Sequence, residues 1–142
     1  SYYAGKAINI TKTTGPHALS YGFTTNHGIP HGHAVSLFLP FFVNFHKNID
    51  KETNNDLRGH LFVLKQMKKI ADILSVNFVD LENEIINFFK ELDIEINFNN
   101  LDISKEGFIN AVKGLNQDRL KNNPRFLSTE EIIDIYTFNL KY

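Results

Sequence analysis

The stretch Ala34-Val35-Ser36-Leu37-Phe38-Leu39-Pro40-Phe41-Phe42-Val43-Asn44-Phe45 constrains this chain more than any other. Its apolar residues fall on nearly every face of a helix, so the segment belongs at the centre of a fold. Broken by Ser36, Pro40 and Asn44, it is too short for the ~20 apolar residues of a membrane span. Pro40 removes one helical hydrogen bond. That predicts a kink or interruption in a helix running from about His31 to His46.

A central apolar helix needs amphipathic partners, and the remaining chain supplies them. Leu57, Leu61, Leu64, Met67, Ala71 and Leu74 recur at steps of four and three, predicting a helix from about Asn54 to Leu74 with these residues inward. Leu81, Ile85, Phe88, Phe89 and Leu92 predict another from about Asp80 to Leu92, with Asp80 as N-cap. Ser104 can cap a helix carrying Phe108, Ile109, Val112 and Leu115. Ser128-Thr129-Glu130-Glu131 is a capping box that opens a last helix through Ile132, Ile135, Tyr136 and Leu140. Near the start, Thr14 is an N-cap candidate and Pro16 suits the first helical position of a short helix from Gly15 to about Thr25. Tyr2, Tyr3, Ala4, Ala7 and Ile8 read as a buried helical stretch that opens without an initiator Met, as a fragment or processed chain would. Ile94, Ile96 and Phe98 alternate with a period of two, but no other segment offers a strand partner, so they read as an extended connector. The expected fold is all-α, one multi-helix domain over residues 1–142.

Composition narrows the chemistry. A chain of 142 residues can own a core without staples. The absence of cysteine excludes a disulfide scaffold, a thiolate metal site and a cysteine nucleophile. A net charge of −1 gives no footprint for nucleic acid. With no membrane span and no signal peptide to read, a soluble cytoplasmic protein is expected. All 16 carboxylates lie at or after Asp50, and His17, His27, His31 and His33 lie in the acid-free segment before it.

Two of these histidines form the strongest local feature. Gly15-Pro16-His17-Ala18-Leu19-Ser20-Tyr21 places one in a helix, and Gly28-Ile29-Pro30-His31-Gly32-His33-Ala34-Val35 places another at the start of the next, fourteen residues on. A return between packed helices can bring such residues together. Neutral imidazole is the commonest metal ligand, and the positive end of a helix dipole favours the neutral ring. Gly32 leaves room for close backbone approach by a ligand or cofactor. By spacing alone, two histidines without a nearby carboxylate are more often packing, capping or surface residues. His33, His46 and His60 take that structural reading.

The run from Gly5 to Thr13, through His17-Ala18-Leu19-Ser20-Tyr21, to Ile29-Pro30-His31-Gly32-His33-Ala34-Val35 and Leu39-Pro40 resembles the iron-containing alcohol dehydrogenase family. In that family a helix with a His-Ala motif is followed by a loop and a Pro-His-Gly-x-Ala motif. The close match covers about the first 45 residues, and Asn123-Pro124-Arg125 belongs to a looser likeness to the family's helical C-terminal region. The resemblance implies that His17 and His31 are ligands of a divalent metal, iron ahead of zinc, and assigns no further catalytic residue in this chain. Tyr21 stands where many members have a second histidine near the nicotinamide, so Tyr21 and the nearby His27 are the expected cofactor- or substrate-proximal residues.

The family's other two ligands, an Asp and a His, and its NAD- or NADP-binding α/β domain lie upstream of these motifs. This chain is therefore expected to be the C-terminal part of the helical metal-binding domain. Its partners would be the missing N-terminal domain, a small alcohol or aldehyde, and other copies in a homo-oligomer, with no nucleic acid and no membrane. The parent enzyme would interconvert an alcohol with an aldehyde or ketone, and the fragment alone would be inactive. The competing reading is a non-catalytic helical binding or structural module.

Overall fold

The computed structural model describes residues 2–113, 115 and 117–142. Along the chain run α1 (Tyr2–Ile10), α2 (Gly15–His27), α3 (His31–Ser36), α4 (Leu39–Lys47), α5 (His60–Leu74), α6 (Leu81–Glu91), α7 (Lys105–Val112), α8 (Gln117–Leu120) and α9 (Thr129–Asn139). A short 3-10 turn, Phe78–Asp80, leads into α6. Among the described residues the only β pairing is one isolated bridge, Asn54 with Arg125, so the architecture is all-α. No described helix is long and apolar enough to cross a membrane.

The long central helix is divided as Pro40 requires. Helix α3 ends at Ser36, Leu37 and Phe38 form a turn, and α4 starts at Leu39 with Pro40 in its first turn, where its missing N–H costs little. Leu37, Phe38, Phe42 and Phe45 are buried at the heart of the main core with Leu19 and Phe23 of α2. Phe98, Phe108 and Ile135 complete that core from the connector, α7 and α9. Phe23 is fully buried and touches the rings of Phe38, Phe98 and Phe108 at 4.9, 5.8 and 5.7 Å between centroids. The connector alternates as read, with Ile96 and Phe98 buried and no strand formed. A second, smaller core joins Val43 and Ile49 to Val63, Met67 and Ala71 of α5 and Leu81 of α6.

Several expected faces are corrected. Helix α1 forms, but all its residues are exposed. Helix α5 starts at His60, not Asn54, since Asp56 turns the chain by accepting from the Arg58 amide and side chain. Leu57 is thereby left in solvent. Leu61 and Leu74 are also exposed, and the buried line is Val63, Met67 and Ala71. On α6 the inward residues are Leu81, Ile86 and Phe89, while Phe88 and Leu92 face out. Asp80 stands at the α6 N-cap without a side-chain cap bond, and Thr14 likewise gives α2 none. The caps at Ser104 and Ser128 form as read, the latter as a complete capping box with Glu131.

Candidate metal centre

Helix α2 is placed by close contact more than by an apolar stripe. A Cβ on Gly22 would lie 1.9 Å from the Ala111 carbonyl oxygen, so α7 rests directly on the α2 backbone. A Cβ on Gly15 would lie 2.2 Å from the Phe42 ring, so the first turn of α2 rests on α4. The Gly15 amide also points at Asn123 Oδ1, 3.5 Å away. The helix ends at Gly28, whose φ of 67° is left-handed and whose amide donates to the Thr24 carbonyl. Ile29 and Pro30 then extend the chain, and α3 opens at His31, folded back toward the beginning of α2.

That return brings His17 and His31 together. Their ring centroids are 5.4 Å apart in an edge-on arrangement. His17 belongs to the first turn of α2, because Gly15 and Pro16 start the helix. Tyr21, one turn on, covers His31 with ring centroids 5.3 Å apart. His27 lies at the end of α2 and not in a loop; its ring packs on Phe23 and against Gly107 of α7, away from the pair. A Cβ on Gly32 would meet open space among the described residues, so the backbone next to His31 is uncrowded there.

The protonation chemistry favours ligation. The His17 pKa is lowered, first by burial and then by the positive charges of His31 and Arg119, which keeps its lone pair available. Ser20 donates its hydroxyl hydrogen to the His17 carbonyl at 2.9 Å. Its oxygen then faces His31 Nδ1 at 3.4 Å as an acceptor. This selects the His31 tautomer with hydrogen on Nδ1 and leaves the Nε2 lone pair for a ligand, the usual role of an outer partner at a metal site. Two neutral imidazoles suit iron or zinc. Among the described residues no third His, Cys, Asp or Glu joins them, so the pair fits as part of a ligand set.

The remaining histidines are held structurally. His33 Nε2 meets the Glu95 carbonyl at 2.6 Å and pins α3 to the connector. His46 Nε2 donates to Asn123 Oδ1 at 3.1 Å, and burial pushes its pKa down to about 4. His60 opens α5. Two residues beside the pair were not read from sequence. Ser20 could have been found from its position three residues after His17, whereas Arg119, which donates to Tyr21 Oη at 2.5 Å, lies 98 residues from its partner and carries no local signal.

The model of the Fe-containing alcohol dehydrogenase family, C-terminal, matches residues 1–140. The chain belongs to this family. Comparison with curated proteins finds no match. Family membership implies a metal ion and NAD(P) in the full-length enzymes, and an oxidoreductase as the parent of this domain. The helical architecture described above is the one expected of the family's C-terminal region.

Proposed function

We propose that this domain forms one side of the active site of a metal-dependent, NAD(P)-linked alcohol dehydrogenase, with His17 and His31 as two of the metal ligands. The observation that carries the reading is the edge-on meeting of the two imidazoles. The remaining ligands and the nicotinamide-binding domain come from outside these residues, as the family resemblance implies. When bound, a divalent ion supplies Lewis acidity toward the alcohol or carbonyl oxygen, and the nicotinamide supplies the two-electron acceptor.

The chain's own residues do the rest. Ser20 Oγ holds the Nδ1 hydrogen of His31 and so aims its other nitrogen. Tyr21 shields one face of His31 from water, and Arg119 fixes that ring by stacking 4.5 Å above its centroid. Gly28 turns the chain from α2 into α3, the two helices that carry the ligands, and Gly22 lets α7 seat directly on α2.

The test is metal retention in the intact enzyme together with turnover. His17→Ala or His31→Ala is expected to lower metal affinity by more than about 100-fold and to abolish activity, and Ser20→Ala to weaken metal binding by roughly 10–100-fold. His60→Ala is expected to change neither. Full metal content and turnover in both ligand variants would overturn the assignment.

A further inference from the structure

Among the described residues three polar ones are buried, Ser20, Asn123 and Asn139, and a buried polar group is kept where it is hydrogen-bonded. All three serve the helices that carry the histidine pair. Ser20 bonds the His17 carbonyl and faces His31. Asn139 donates to the carbonyl of Leu37, the residue after α3, and to that of Ile96 in the connector. Asn123 meets the start of α2. That start needs an outside partner, because Thr14 makes no side-chain cap bond, Pro16 has no N–H, and Gly15 is buried.

Resting on the reading of His17 as a metal ligand, we infer that Asn123 is a positioning residue of the metal centre, whose Oδ1 ties the start of α2 to the end of α4 and so sets where His17 stands relative to His31. The amide is oriented by its own donor. Nδ2 gives to the Arg125 carbonyl at 2.7 Å, which leaves Oδ1 as the acceptor for His46 Nε2 at 3.1 Å and for the Gly15 amide at 3.5 Å. The segment that carries it is anchored in turn. The Pro124 carbonyl accepts from the Asn55 amide at 2.9 Å. Arg125 stacks 3.9 Å from the Phe45 ring centroid and donates to the Phe45 carbonyl at 2.9 Å. The Phe42 ring limits how closely Gly15 can approach α4, but a ring contact leaves direction free, and the hydrogen bond supplies it. His17 follows Gly15 by two residues, inside the same helical turn, so little of a shift at Gly15 is absorbed before it reaches the imidazole. Ligand constellations work when held to within ~0.5 Å, so a small displacement there is enough to matter. The Asn123-Pro124-Arg125 run thus acts on the histidine pair from more than a hundred residues away in sequence.

The experiment compares Asn123→Leu, which is similar in size and removes the acceptor, with Asn123→Asp, which keeps the acceptor and removes the donor. In the metal-free protein the ring-to-ring NOE between His17 and His31 is expected to be lost in Asn123→Leu and kept in Asn123→Asp. In the intact enzyme the affinity for Zn²⁺ alone is expected to fall about tenfold in Asn123→Leu and to stay within about threefold of the parent in Asn123→Asp. Met67→Ala, which weakens the second core, is the stability control and is expected to leave both readouts unchanged. A ring NOE and a Zn²⁺ affinity equal to the parent in Asn123→Leu overturn the proposal. An equal loss in Asn123→Asp or in Met67→Ala also overturns it, because the acceptor would then not be what matters. Where Asn123→Leu does not fold, hydrogen exchange in the parent decides. A protected Gly15 amide supports the contact, and one exchanging as freely as in an unfolded chain overturns it. The two readings fail separately, because the NOE needs no metal. Metal retained in His17→Ala removes the ligand assignment, whereas an intact ring contact in Asn123→Leu removes the role of Asn123.

Discussion

Helix α5 has the cleaner amphipathic spacing, with leucines recurring on one side and Lys65, Lys68 and Asp72 elsewhere, yet it buries only Val63, Met67 and Ala71 among its fifteen residues. Helix α2 is two residues shorter, with apolar, hydroxyl and glycine positions intermixed, and it buries six. The difference lies in how each is held. Helix α5 leans on α4 through side chains and keeps the rest of its surface in solvent. Helix α2 is enclosed by α3, α4 and α7, and at Gly15 and Gly22 its backbone is itself the contact surface. A stripe of leucines reports that a helix has one wet side. Backbone contact reports that a helix is gripped closely by its neighbours even where, as at Tyr21, Thr25 and Asn26, one side stays exposed, and this is the helix that carries His17.

The sharpest way to break that contrast is to put a side chain where α2 meets α7. In Gly22→Ala the new Cβ meets the Ala111 carbonyl at 1.9 Å and its carbon at 2.7 Å, and backbone on both sides leaves no flexible group to yield. The expected cost is about 3 kcal/mol or more. In a domain of this size that lowers Tm by roughly 10 °C, read by calorimetry. Displacement of α2 also separates His17 from His31, so metal affinity should fall with it. Gly32→Ala, one residue past His31 and open on its Cβ side, should instead be neutral or stabilising by up to about 1 kcal/mol. Equal Tm for Gly22→Ala and the parent would show that α7 is not seated on α2.

The second effect concerns the polar staple beneath α2. His46 is buried against Phe42 and donates to Asn123, which also approaches the Gly15 amide and donates to the Arg125 carbonyl. Its folded pKa is about 4, lowered by burial against the opposing Asn123 bond, with the Arg125 charge adding to the lowering. Unfolding returns the ring to its ordinary 6.5. Between these values the unfolded chain binds the extra proton, so this stabilising contribution is complete above about 6.5 and is lost as pH falls toward 4. Urea melts at pH 7 and pH 5 should differ by about 2 kcal/mol from this group. His17, lowered in the same direction but less enclosed, adds a smaller slope of the same sign. His46→Gln should remove most of the difference. An unchanged slope in that variant would mean that the ring is solvated.

These contrasts show which parts of the molecule were legible in the sequence. Local chemistry was: Ser104 accepts from the Gly107 amide at 3.1 Å, and Ser128 and Glu131 close their box within four residues. Pro40 announced the break in the central helix for the same reason, since the lost hydrogen bond is its own. The pairing of His17 with His31 was legible through the family resemblance and not through spacing, and one glycine-ended turn joins the two helices that carry them. What could not be read depends on partners distant in sequence. Nothing around Gly22 signals Ala111, and nothing around Tyr21 signals Arg119. Periodicity marked Leu61 and Leu74 as inward because it counts apolar residues without knowing what covers them. The same blindness placed α1 in a core, whereas its residues are exposed.

The smallest expected effect tests the outer side of α5. Leu61 is 70% exposed and Met67 is 8% exposed, although both lie on the line of leucines that first defined the helix. Truncating Met67 to alanine removes a side chain that fills the gap between α5 and its neighbours in the second core, at a cost of about 2 kcal/mol. Truncating Leu61 removes atoms that are mostly in water already, so Leu61→Ala should stay within about 0.5 kcal/mol of the parent in chemical denaturation. The two substitutions are close in kind, so the ratio of their effects isolates burial from hydrophobicity. A loss above about 1 kcal/mol for Leu61→Ala would mean that the face is covered in solution. A concentration dependence of Tm in the parent that disappears in the variant would then identify the cover as a second copy of the chain. In that case α5 would be an interface helix, and its contrast with α2 would be one of which partner is present, not of how deeply each is buried.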